Sequence, residues 1–396
     1  MSLPPSEQAG PQRAPSEGKR QAFRRRQAAF SSWLAESGIF ACVLDDFEGL
    51  RAASVRWLSG HPTDAILFVF ADGHTVLVPW DLNLAREMSV VDEILPYTDF
   101  KRSFREAVIA VLKQRRPGSG DKVRTEFAGH TTFLRHRELL QDLPDEEILI
   151  RNDGCDSHLG ALRAHKDASE LVALEKAAQL TDELCTLAEE FLRSASSRNV
   201  TEHEMTQLLE REAVARGAEG MGFETLAAGP GRSWGIHPFP ASTRGAFGGN
   251  GLSILDFGVK VDGYTSDVTL TVVRGKLTEE QERMIGLVEK AYAAALAAAQ
   301  PGVSPREPAV KADEVFSAAG HRMPHALGHG IGLDAHERPL LHIQGSGADT
   351  ELSPGMVFTL EPGLYDPQQG GVRWENDVLM TETGPKVLTN ARIVRL

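Results

Sequence analysis

The chain has 396 residues, 41% hydrophobic and 24% charged, with a net charge of −13. This is the composition of an ordinary globular protein of about two domains, and its acidity argues against duplex nucleic acid as a partner. No run of about 18 apolar residues occurs, so no membrane span is expected. Cys42, Cys155 and Cys185 are too scattered for a disulfide framework or a zinc motif and read as buried, reduced thiols of a cytoplasmic protein.

Residues 1–20 are rich in Pro, Ser, Gly and charge and read as a disordered tail. Phe23–Ser37 has the pattern of an amphipathic helix, and Ile39–Leu44 suits a buried strand. Ala65–Phe70 and His74–Val78 flank Asp72-Gly73, a hairpin signal. Asp81–Met88 and Phe104–Lys113 look helical, and Arg116–Asp121 is a loop. Residues 21–158 thus form a small α/β domain, with a boundary near 152–165. A second domain, 159–396, opens on a long helix over Asp167–Arg193, apolar at Leu171, Leu174, Ala177, Leu180, Leu184 and Leu187. Thr201–Glu204 is a capping box for a further helix, and Thr278–Gln281 opens a third that stops at Pro301-Gly302. Strand-like segments follow at 252–258, 264–274, 356–361 and 371–380. Helices segregated from mostly antiparallel strands give this half an α+β class.

Five residues of the second domain would together hold two metal ions: Asp256, Asp267, His329, Glu361 and Glu375. Four carboxylates and an imidazole are too polar to bury without a cation or hydrogen-bond partners. Asp262-Gly263 reads as a two-residue turn, which pairs Asp256 with Thr269 and sets Asp256 and Asp267 as diagonal neighbours roughly 7–8 Å apart. Arg373 shares a strand face with Glu375 and would orient a carboxylate. His325-Ala-Leu-Gly-His329 lacks the glutamate of a zincin helix, and its flanking glycines oppose a helix.

The order Asp, Asp, His, Glu, Glu resembles the pita-bread metallopeptidases, which include methionine aminopeptidase, aminopeptidase P and prolidase. The resemblance spans residues 160–396, carried by the ligand segments, Gly328-His-Gly-Ile-Gly332 and Glu361-Pro-Gly363. Residues 20–155 resemble the creatinase-type N-terminal domain through Val55-Arg-Trp-Leu-Ser-Gly60, and Leu162-Arg-Ala-His-Lys166 resembles the segment that opens the catalytic half. The resemblance implies a pita-bread catalytic domain behind a smaller α/β domain. It implies an Xaa-Pro dipeptidase, with an Xaa-Pro aminopeptidase acting on longer peptides as the alternative. It also implies a homodimer. By it, the five residues are metal ligands, Asp267 and Glu375 bridge both ions, and Glu361 is also the general base. By it too, His237 is the upstream substrate-binding histidine, His325 and His336 lie around the scissile bond, and His336, together with His325, donates to the developing oxyanion. Two cations, Mn²⁺, Co²⁺ or Zn²⁺, would share a water and bring it toward hydroxide, the nucleophile.

Two positions depart from the family pattern. Leu270 stands where the family often has Arg, and Leu340 stands where archaeal-type prolidases place an arginine for the substrate carboxylate. Arg338, Arg373 and Arg51 are the candidates to replace it. A metal-free creatinase-like hydrolase and a non-catalytic binding module both predict lost ligands, and all five are present.

Overall fold

The computed structural model describes residues 14–118, 122–195, 200–344 and 351–396. Residues 1–13 of the expected tail and 119–121 of the expected loop lie outside them. The chain divides into two compact units, one ending at Leu162 and one running from Arg163 to Leu396.

The first unit is built on a mixed six-stranded sheet. Its order is Glu93–Ile94, Thr75–Pro79, Ala65–Phe70, Ala41–Asp46, Val123–Phe127 and Glu146–Leu149. Asp72-Gly73 turns the central hairpin as its turn chemistry predicts, with Ile66 opposite Val78 and Phe68 opposite Val76. The first helix runs over Glu17–Glu36, starting inside the stretch read as tail, because the Ser16 hydroxyl caps the Lys19 N–H. Short helices at Ala53–Ser59 and Phe133–Asp142 are additions to the sequence-based reading.

The second unit repeats one plan twice: a pair of helices, then a mostly antiparallel sheet. Ala168–Ser194 and Glu202–Ala215 precede a four-stranded sheet ordered Ile393–Arg395, Val268–Arg274, Gly251–Phe257, Leu226–Ala228. Glu279–Ala298 and Arg306–Ala318 precede a five-stranded sheet ordered Glu337–Leu341, Gly328–Gly330, Val357–Leu360, Asn376–Thr381, Gly384–Val387. Three of these helices begin at full capping boxes: Asp167 with Glu170, Thr201 with Glu204, and Thr278 with Gln281. Each helix pair packs on its own sheet. Leu184, Leu209, Leu255 and Leu270 belong to one core, and Val288, Phe316, Phe358 and Val378 to the other. Each such side chain contributes about 1.5–3 kcal/mol by leaving water. Side chains and one bridge, Thr269 to Glu375, join the two sheets.

All three cysteines are free and buried, and burial pushes their thiols up, which removes them as nucleophiles. Cys42→Ser, Cys155→Ser and Cys185→Ser should each keep turnover within about twofold, since only the thiolate reacts. An inactive but folded variant would revive a thiol mechanism. Among the described residues no helix is long and apolar enough to cross a membrane.

Candidate metal centre

The turn at Asp262-Gly263 has φ of 50° and 86°, left-handed at both positions, as a tight hairpin demands. It sets Asp256 opposite Thr269 and Lys260 opposite Thr265. Gly258 lets the two chains close: a Cβ there would lie 1.8 Å from the Ser266 carbonyl oxygen. Asp256 and Asp267 are both buried. The Asp267 N–H donates to both oxygens of buried Asp377, at 3.2 Å each, which fixes the backbone that carries it.

The second sheet supplies the rest. His329 lies in the strand Gly328–Gly330, where a Cβ at Gly328 would fall 2.0 Å from the Thr359 carbonyl oxygen. That close approach explains a glycine-flanked histidine on a strand. His329 Nε2 is 3.7 Å from Asp267 Oδ2 and 3.5 Å from Glu361 Oε1. One ligand atom each of Asp267, His329 and Glu375 lies within 4.8 Å of the other two. Glu375 Oε2 accepts from the Thr269 hydroxyl at 2.7 Å.

The donor set fits divalent cations. Asp256 Oδ1 and Glu375 Oε1 are buried and make no hydrogen bond among the described residues, an arrangement that costs free energy unless a cation meets them. Burial, and then the charges of Glu375 and Asp256, hold the Asp267 carboxyl well above its usual range. Glu361 is raised by burial and by Glu375, and Glu375 by burial and by Asp256. Burial and the neighbouring His336 push His329 down to about 4, so its imidazole is neutral, as a ligand must be.

Arg373 is 1% exposed and is enclosed by acceptors. Nη2 donates to Asp256 Oδ2 at 2.5 Å, Nε to Thr269 Oγ1 at 3.0 Å, and Nη1 to the Ile236 carbonyl at 3.0 Å and Tyr365 Oη at 2.9 Å. The expectation that it meets a substrate carboxylate therefore needs correction. Its charge faces Asp256, on a strand of another sheet, rather than its neighbour Glu375. Thr269 links both, donating to Glu375 and accepting from Arg373.

His325 also differs from expectation. Nδ1 donates to the Ala326 carbonyl at 2.7 Å, and Nε2 accepts from the Tyr365 hydroxyl at 3.1 Å, the tautomer this network requires. Burial pushes the ring down to about 4, so it is neutral and offers no spare N–H to an oxyanion. His336 keeps its ring nitrogens free of hydrogen bonds among the described residues, its ring 4.0 Å from that of His329. Burial of one flank and the Arg373 charge hold His237 below the usual histidine range. Arg338 is exposed on the strand Glu337–Leu341, and Arg51 ion-pairs Asp64 at 3.3 Å within the first unit. Beside Tyr365 lies a cleft of ≈ 290 Å³, walled by Trp234, Ile236, Met284, Pro324 and Leu364 and bordered by Arg322. Tyr365 and Asp377 escaped the sequence reading as site residues. Asp377's place two residues after Glu375, on the same strand face, was the available signal.

Two sheets meeting over buried carboxylates and a neutral imidazole are the architecture of a metal-dependent hydrolase with a pita-bread fold. The chain matches metallopeptidase family M24 over residues 172–382, and it belongs to that family. It is 31% identical to an Xaa-Pro dipeptidase of Pyrococcus furiosus, over 86% of this chain and 91% of that protein. It is 30% identical to a putative dipeptidase of Bacillus subtilis, over 91% of this chain and 96% of that one. Among solved structures, the Xaa-Pro dipeptidase from Bacillus anthracis is similar with a TM-score of 0.80 and 25% identity, over 94% of this chain and 100% of that chain. The protein is thus a metallopeptidase.

Proposed function

We propose that the protein is an Xaa-Pro dipeptidase that works with two divalent cations held by Asp256, Asp267, His329, Glu361 and Glu375. The observation that carries this is the approach of Asp267, His329 and Glu375 to within 4.8 Å, beside the unpartnered oxygens of Asp256 and Glu375. Similarity to the Pyrococcus and Bacillus dipeptidases supports the substrate class. Four carboxylates and one imidazole suit Mn²⁺, Co²⁺ or Zn²⁺. Bound cations supply Lewis acidity, lowering the pKa of a hydrolytic water and polarising the scissile carbonyl.

The side chains do the remainder. Glu361 accepts the proton released as the water attacks and returns it to the leaving nitrogen. That nitrogen belongs to a tertiary amide in an Xaa-Pro bond, so it departs only when protonated. His336 donates an N–H to the carbonyl oxygen as charge builds there. His325, held by Tyr365 and Ala326, shapes the wall beside Glu361. Proline's fixed φ and missing N–H allow selection by shape. Arg338 stands two residues after His336, exposed on the strand Glu337–Leu341. With Arg373 enclosed, Arg338 is the cation this reading gives to the dipeptide's C-terminal carboxylate. The family resemblance supports a homodimer, which light scattering tests, and the reduced cysteines suit the cytoplasm.

His336→Ala should lower kcat roughly 10²-fold, the worth of one oxyanion donor, with metal content unchanged. Loss of metal from a folded variant would make His336 a ligand instead. Arg338→Met should raise KM for Ala-Pro about tenfold, the loss of one charge-assisted contact, and leave Ala-Pro-Ala little changed. Equal effects on both peptides would remove Arg338 from the carboxylate.

The reading is tested with chelator-treated protein given Mn²⁺, Co²⁺ or Zn²⁺ and offered Ala-Pro and Ala-Pro-Ala. Cleavage confined to the dipeptide supports it. Cleavage of the tripeptide at its first bond makes the protein an Xaa-Pro aminopeptidase. Cleavage of neither, with metal bound, moves the substrate away from proline peptides.

A further inference from the structure

The turn that carries His336 is held by charges outside the metal cluster. Arg163 Nη2 donates to Asp334 Oδ2 at 2.6 Å and also to Glu337 Oε1. Lys166, whose side chain is 0% exposed, donates from Nζ to Glu337 Oε2 at 3.2 Å. Glu337 Oε1 accepts the Asp334 N–H at 3.1 Å. Both carboxylate oxygens lie against Gly332, where a Cβ would meet them at 2.6 Å. The turn closes on itself through Gly332 N–H to the Asp334 carbonyl at 3.0 Å. It is tied to the hairpin of Asp267 through Thr265 N–H to the Gly332 carbonyl at 2.8 Å.

Two cations and two carboxylates, most of them withdrawn from water, are a costly way to gain stability alone, because desolvation offsets most of the attraction. Their geometry selects one backbone conformation for residues 332–337. His336 sits inside that segment. Its ring has no hydrogen bond of its own among the described residues to place it, only the neighbouring His329 ring at 4.0 Å. Its position therefore follows the backbone, and the backbone follows Glu337. Nothing in the local sequence around His336 announces this, since Arg163 and Lys166 come from the opposite end of the unit.

We infer that Arg163, Lys166 and Glu337 form a clamp that places the His336 imidazole over the centre, so that they are positioning residues for the hydrolysis. The inference rests on the reading of His336 as the donor facing the scissile carbonyl. It extends that reading to residues that touch neither substrate nor metal.

The test uses Lys166→Met and Glu337→Gln in the full chain, each with His336 and with His336→Ala. Lys166→Met leaves the Arg163–Glu337 pair and carries the test if Glu337→Gln fails to fold. Hydrogen exchange is followed over residues 333–336, together with metal content, kcat and KM on Ala-Pro. The expected result is at least about tenfold faster exchange in that turn, with metal content unchanged. The expected kcat is about tenfold lower at an unchanged KM, as misplacement of a catalytic group produces. In the His336→Ala background the same substitutions should cost less than about twofold, because coupled residues are not additive. Unchanged exchange overturns the clamp. So does a kcat loss that persists in full without His336, which would make the cluster merely structural. A wild type that cleaves no proline dipeptide sinks the functional reading, and the exchange rates then decide the clamp alone.

Discussion

Glu375→Gln abolishes hydrolysis and empties the centre of metal while the fold survives. Glu375 stands where the two sheets meet: its N–H reaches the Thr269 carbonyl at 3.3 Å, and one carboxylate oxygen takes the Thr269 hydroxyl. Its other oxygen is buried without a hydrogen bond among the described residues. Glutamine keeps the shape and the Thr269 bond but removes the charge that a cation needs. The expected loss in kcat/KM is at least roughly a thousandfold, about 4 kcal/mol in barrier height. Metal-free stability should not fall, because burial and the Asp256 charge already disfavour an ionised Glu375. Elemental analysis, turnover of Ala-Pro and a thermal melt of the metal-free variant check the three parts. Wild-type turnover, or a full metal complement, would remove Glu375 from the centre. Asp267→Asn should behave the same way.

Arg373→Met has the largest expected effect on stability. The guanidinium is enclosed, and its removal leaves Asp256 without its cation and strips Thr269, Tyr365 and the Ile236 carbonyl of a donor. Breaking a buried pair from one side costs about 3–5 kcal/mol. At about 2–4 °C per kcal/mol for a unit of this size, the metal-free protein should melt about 10 °C lower. Added metal should recover part of that loss, since a cation beside Asp256 replaces the missing charge. Melts with chelator and with Mn²⁺ separate the two contributions. An equal drop in both would mean that Arg373 supports packing and not the charge balance of the cluster.

What was legible beforehand is what depends on neighbours in sequence. The Asp262-Gly263 turn fixes a register that sets Asp256 against Thr269, and three capping boxes mark where helices start. The helix Arg306–Ala318 went unread because Pro305 gives it no side-chain cap and its buried face includes the small Ala309 and Ala312. Strand alternation set Arg373 beside Glu375 but cannot see across to another sheet, so its bond to Asp256, 117 positions away, was hidden. The Tyr365 hydroxyl and the Glu337 clamp are hidden for the same reason. The repeated plan of the second unit leaves no repeat in the residues, because each half packs its own side chains behind a shared topology.

The hairpin that brings Asp256 and Asp267 together also dates the centre within the life of the chain. Glu375 is translated more than a hundred residues after Asp267. At ribosomal rates of about 5–20 residues per second, that delay is roughly 5–20 s. Until His329 follows, 62 residues later, the segment offers only the two carboxylates of Asp256 and Asp267, and Glu361 and Glu375 come later still. The sheet that holds the hairpin also awaits the strand Ile393–Arg395, which pairs alongside Val268–Arg274. The five side chains of the centre thus come together only once the last of them, Glu375, has been made.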